Sequence, residues 1–139
     1  MSDLSSTPVG VIGWTDLTIP DAADIRDFYA AVVGWIPSAV EMGGYADFNM
    51  NGADGRPVVG ICHARGPNAD LPPVWLVYVR VADLDRSLAE CDRRGGSVIA
   101  SPKAFGATAR YAVIQDPAGA IAALYEDSSR PRTDRERVP

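Results

Sequence analysis

The sequence predicts an α+β fold in which a strand, a helix and three strands occur in order, twice. Three observations carry this. The pattern of apolar residues switches from period two to period 3.6 and back in each half of the chain. Asp21 to Gly34 and Asp83 to Gly96 are both thirteen residues apart, and both pairs pair a helix-starting Asp with a helix-stopping Gly. The offset between the two pairs is the same, 62 residues. Side-chain identity between the halves is low, so the repeat rests on element order and cap spacing. An unrelated α+β sandwich is the alternative.

The elements follow in order. "VGVIGWTDLTI" is β-branched and aromatic and reads as a strand ended by Pro20. Asp21 can cap the helix in "AADIRDFYAAVVGW", whose Ile25, Phe28, Tyr29, Val32 and Val33 fall on one stripe, and Gly34 stops it. "SAVEM", "YADFNM" and "PVVGICH" read as strands separated by the turn signals "GG" and "NGADG". "GPNADLPP" is a linker. The second half then gives the strand "VWLVYVRV" and a helix in "ADLDRSLAECDRRGG". The strands "SVIASP", "RYAVIQ" and "AIAALYE" follow, the last preceded by the turn "DPAG". The folded domain is read as 9–126, with modules at about 9–66 and 73–126. Residues 1–8 and the polar tail 127–139 are read as flexible, since neither can bury enough apolar surface to offset its ordering entropy.

Composition narrows the function. The chain has 139 residues, a net charge of -5 and 47% hydrophobic residues, values of an ordinary globular domain. An acidic balance argues against a nucleic-acid partner, which would need a basic face. No apolar run approaches a membrane span or a signal peptide, so a cytoplasmic protein without a membrane partner is expected. Cys62 and Cys91 form no CxxC pair and read as reduced, buried thiols.

Several fragments together resemble the vicinal-oxygen-chelate superfamily of glyoxalase I, extradiol dioxygenases, fosfomycin-resistance enzymes and bleomycin-resistance proteins. They are "TIPD", then "FY", then "GW" at Gly34–Trp35, and in the second half "VADLD", "RRGG" and "DPAGA". The likeness is to a glyoxalase-like subgroup and covers nearly all of 9–126. It implies two βαβββ modules forming a curved, mostly antiparallel eight-strand cup with helices outside. It also implies a homodimer.

In metal-dependent members, four His, Glu or Gln ligands line the cup, one on the first and one on the last strand of each module. A divalent ion needs such donors at about 2.0–2.2 Å. The resemblance places these positions at Trp14, Gly60, Leu76 and Ala123, none of which offers a side-chain donor. His63, the single histidine, lies three residues past Gly60 and so on the opposite face by alternation. It reads as a polar residue at a strand end. No metal and no other cofactor is therefore expected.

Strand alternation gives the rest of the cup. Ile12, Trp14, Asp16 and Thr18 face it, with Leu17 and Ile19 toward the helix. Tyr78 and Arg80 face it too, with Val77, Val79 and Val81 toward the helix. On the third strand either Tyr45, Asp47 and Asn49 or Ala46, Phe48 and Met50 face inward, and the polar set is favoured. The candidate ligand-binding residues are Trp14, Asp16, Tyr45, Asp47, Tyr78, Arg80 and Arg110. Trp14 is either a plug that fills a lost metal centre or a ligand wall. Asp16 is either a structural partner of Arg80 or a catalytic carboxylate. Trp35 is expected at the helix end or a dimer contact.

Three functions are open. The first is a metal-free binder of a small aromatic or cationic molecule. The second is a lyase, isomerase or dioxygenase of the glyoxalase type. The third is a dimeric interaction protein with a filled cup.

Overall fold

The computed structural model describes residues 6–128. Its eleven elements run β1 (Ile12–Ile19), α1 (Ala22–Val33), β2 (Ile36–Glu41), β3 (Ala46–Asn51), β4 (Pro57–His63), a 3-10 turn (Gly66–Asn68), β5 (Leu76–Arg80), α2 (Leu84–Arg93), β6 (Ser97–Phe105), β7 (Ala109–Gln115) and β8 (Ile121–Asp127). The predicted fold class, α+β with two βαβββ modules, is the one found. Among the described residues the chain divides into two compact units, one spanning Trp14–Leu76 and the other joining 6–13 to 77–128. No helix among the described residues is long and apolar enough to cross a membrane.

In the first unit β1 pairs in parallel with β4, while β2–β3 and β3–β4 are antiparallel. A parallel pair needs a crossover, and α1 begins that crossover. Alternation then splits the sheet into two faces. Leu17, Ile19, Phe48, Met50, Val59 and Ile61 point toward α1 and form the core with Ala22. Met50 and Ile61 are fully buried. Truncating either to Ala would cost about 2–5 kcal/mol through lost transfer energy and the cavity left behind. The favoured orientation of the third strand follows, because Phe48 and Met50 sit in the helix-side core and Asp47 alternates with them.

The helix ends differ from expectation. Gly34 stops α1 as predicted, with φ at 88° and its N–H on the Ala30 carbonyl at 3.0 Å. Asp21 stands at the N-cap position, but its side chain makes no capping bond, and Ile25 N–H takes the Asp21 backbone carbonyl instead. The apolar stripe of α1 is only partly used. Ile25, Tyr29 and Ala30 pack on the core, whereas Phe28, Val32 and Val33 are 53%, 64% and 51% exposed. The stripe is wider than the contact one sheet face offers, so the flanking row stays in solvent.

The second unit repeats the plan. β5 pairs in parallel with β8, and β8–β7 and β7–β6 are antiparallel. α2 packs on β6, β7 and β8. Two N–H groups of its first turn are capped by side chains: the Asp83 carboxylate accepts from Arg86 N–H at 3.1 Å, and Glu126 Oε1 from Leu84 N–H at 2.8 Å. Val77, Val79 and Val81 are only half-buried, while Tyr78 and Arg80 on the other face are buried. Gly10 N–H and Val11 carbonyl bond the Arg80 backbone at 2.7 and 3.1 Å. The lead-in to β1 thus belongs to the second unit. The Thr7 carbonyl is held by Arg80, and Asp127 closes β8, so each of the expected loose termini has at least one tied residue. Residues 1–5 and 129–139 lie outside the described residues.

Gly96 ends the α2 hairpin at close quarters. A Cβ there would stand 2.7 Å from Cys91 Sγ and 2.9 Å from the Gln115 carbonyl. Gly96→Ala should destabilise the protein by about 1–3 kcal/mol in urea unfolding, the usual cost of overpacking. Gly52→Ala, with nothing nearer than 3.4 Å, is the control and should change stability by less than about 0.5 kcal/mol.

Candidate functional site

The non-helix face of the first unit carries four of the sequence-predicted residues. Pairing of β1 with β4 sets Asp16 opposite Gly60. The Trp14 indole lies across that glycine. A Cβ on Gly60 would be 3.3 Å from both Trp14 Cζ2 and Asp16 Cβ, and 3.4 Å from Trp14 Nε1. Glycine thus leaves the room that the indole takes. Trp14 and Asp16 are each 7% exposed. The two first-module positions that the family resemblance assigns to metal ligands are therefore adjacent, and the space beside them is filled by indole.

Two residues along β4 from Gly60, Cys62 lies on the same face. Burial pushes its thiol well above the usual range, and the nearby carboxylates of Asp16 and Asp47 push it further, with the thiol also donating to Asp47. Such a thiol is not a nucleophile at neutral pH. Asp47 Oδ1 accepts the His63 N–H at 2.9 Å and lies 3.1 Å from His63 Nδ1. Tyr45 packs edge-on against the His63 ring at 5.6 Å, and the Arg65 guanidinium covers Tyr45 at 3.8 Å. His63 is the last residue of β4, and its ring also nears Phe48 at 6.1 Å. The reading of His63 as a polar strand-end residue accounts for this. Cys62 was missed as a site residue, although alternation from Gly60 would have found it. The Asp47–His63 contact could not be read, since it joins two strands.

No three His, Cys, Asp or Glu residues among those described converge as metal ligands. The donor chemistry on this face is two carboxylates, a neutral thiol and one imidazole, with an indole where the resemblance puts a ligand.

In the second unit, Tyr78 faces Tyr111 with ring centroids 5.7 Å apart. Arg80 lies on the same face of β5, and its guanidinium donates to two backbone carbonyls, Thr7 at 2.8 Å and Asp127 at 3.1 Å. Those bonds tie the segment before β1 to the end of β8. Arg110 is a correction. It pairs across β7–β8 with Glu126 and lies 3.4 Å from Asp85 of α2, so it sits on the helix face. Its neighbour Tyr111 takes the face that Tyr78 shares. Arg110 is therefore not brought together with Tyr78 and Arg80.

The comparisons with known proteins agree with this architecture. A methylmalonyl-CoA epimerase of Streptomyces coelicolor superposes with a TM-score of 0.52 at 16% identity, covering 88% of this chain and 100% of that one. A methylmalonyl-CoA epimerase of Mycobacterium tuberculosis gives 0.54 at 17%, covering 93% and 94%. At that identity the likeness is one of fold. An anthracycline biosynthesis protein of Streptomyces peucetius is 31% identical over 128 residues, 84% of this chain and 46% of that protein. A protein of Mycobacterium tuberculosis named as a candidate glyoxylase is 36% identical over 113 residues, 81% of this chain and 42% of that protein. The chain thus spans about half the length of the curated relatives it matches. Residues 11–123 match the family model, and the chain belongs to the Glyoxalase/Bleomycin resistance protein/Dioxygenase superfamily.

Proposed function

We propose that this protein is a metal-free binder of a small aromatic or cationic molecule on the face that carries Trp14, Asp16, Tyr45 and Asp47. The observation that carries the reading is the Trp14 indole lying over Gly60, beside two buried carboxylates, at positions where the family resemblance expects metal donors. An indole offers a stacking surface, and carboxylates in a low-dielectric setting favour a cation over an anion. Tyr78 and Arg80, on the second unit, are proposed as ligand contacts of that unit in their own right, with Arg80 in a positioning role through its carbonyl bonds. The anthracycline biosynthesis name of two relatives supports a planar aromatic ligand class. Free Cys62 and Cys91 suit a cytoplasmic setting.

A second reading is an acid–base enzyme of the glyoxalase type. The Asp47–His63 pair favours it, since a carboxylate that orients an imidazole is a common general-base arrangement. A working homodimer is also proposed, on the exposed apolar row of Phe28, Val32 and Val33 followed by Ile36, which is 57% exposed.

Three tests follow. Doxorubicin, a planar aromatic ring system carrying an aliphatic ammonium group, should raise the melting temperature, with about 2.7 kcal/mol of added stability at a hundredfold excess over its Kd. Trp14→Ala should remove most of that shift, and elemental analysis of protein purified without chelator should find no stoichiometric divalent metal. A full equivalent of metal would overturn the metal-free reading. His63→Gln should leave ligand binding within about twofold; loss of a turnover activity with binding retained would favour the enzyme instead. Val32→Asp should convert a dimer to a monomer in sedimentation equilibrium, and a wild-type monomer at 100 μM (on the order of the affinity of a weak interface) would count against the dimer.

A further inference from the structure

The first unit holds a cavity of about 410 Å³ on its helix face. Leu17 and Ile19 of β1 and Ile25 of α1 form its floor, and Phe28, Tyr29 and Trp75 its walls. Leu17 and Ile19 point away from Trp14 and Asp16 along the same strand, so this cavity and the Trp14 face lie on opposite sides of the sheet.

It is an open groove: Phe28 at its side is 53% exposed, while Leu17 and Ile19 beneath are buried. Its aromatic walls brace one another. Tyr29 meets Trp75 edge-on with centroids 5.1 Å apart, and both contact Trp35, at 5.9 and 5.8 Å. Trp75 Nε1–H donates to the Tyr29 hydroxyl at 3.2 Å. The polar tips of those two rings thereby satisfy each other, and the surfaces they turn to the cavity are apolar. Pro20 and Pro73 stand at the rim with fixed φ, which resists collapse of the mouth. The charged residue on the lining is Asp21, exposed at the mouth, whose side chain does not turn back to cap α1.

We propose that this cavity is a second small-molecule site, for a planar aromatic compound bearing a positive charge. Its volume lies within the range of small-molecule pockets, mostly apolar with few polar groups. Aromatic walls take the ring system, and cations are attracted to ring faces. The Asp21 carboxylate at the mouth takes the charged substituent. This site stands independently of the Trp14 face and does not depend on the loss of metal donors.

The test is fluorescence-anisotropy titration of the full chain with 9-aminoacridine, a planar cation, and with acridone, its uncharged counterpart. Saturable binding of both is expected, and Trp14→Phe should leave it within twofold. Asp21→Asn, at an exposed position, should weaken the cation at least fivefold and leave acridone unchanged. Ile25→Trp fills the cavity and should abolish both, with its melting curve showing that it folds. Absence of binding to the wild-type protein overturns the proposal. So does binding that survives both Asp21→Asn and Ile25→Trp, or binding lost in Trp14→Phe, which would place the probe on the other face. Probe binding that competes with self-association in sedimentation would assign the cavity to a second copy and likewise overturn it.

Discussion

The contact between Trp14 and Gly60 is the constraint on which the first unit depends. A parallel pair of strands brings residues of β1 and β4 side by side, and here it brings the largest side chain next to the one residue without any. The indole needs that vacancy. With a side chain at residue 60 it would have to move, since a Cβ would already sit 3.3 Å from the ring. The pairing therefore makes two sequence positions into one structural decision. The same decision fills the space in which the family resemblance expects two ligand side chains.

The carboxylates beside the indole follow from the same alternation. Every second residue of β1, β3 and β4 points to this face, and the sequence puts Asp16, Asp47 and Cys62 there. Buried charges are costly unless partnered. Asp47 finds the backbone and ring of His63 and the thiol of Cys62. The thiol is held neutral as a result. The opposite face has no such demand and is packed with Leu17, Ile19, Phe48, Met50 and Ile61, with a groove lined by Tyr29 and Trp75 beside Leu17 and Ile19.

The second unit uses its buried charge differently. Arg80 donates to two main-chain carbonyls that are far apart in sequence, at Thr7 and Asp127. A guanidinium suits this role because its donors are fixed in a plane and it stays charged when buried. The bonds order both ends of the described chain around β5. Arg110, one residue off the face of Tyr111, instead meets Asp85 and Glu126 where solvent screens the pairs, so those pairs contribute little to stability.

Local chemistry was legible in the sequence. The helix stop at Gly34, the Asp83 cap, the "DPAG" turn and the alternation of β1, β3 and β4 each depend on neighbours in the chain, and each was read there. The βαβββ repeat and the family fragments followed from those local signals and their spacing. What could not be read depends on distant segments meeting. Asp21 looked like a cap but its side chain does not cap, because whether a carboxylate turns back is decided by its surroundings and not by its type. The apolar residues of α1 were read as one stripe, yet the sheet covers only part of that stripe. His63 reached Asp47, and Trp75 reached Tyr29, across strands and across 46 residues of chain. Periodicity assigns a residue to a face. Only the packing of one element on another determines which side chains meet there, and which space between them remains open.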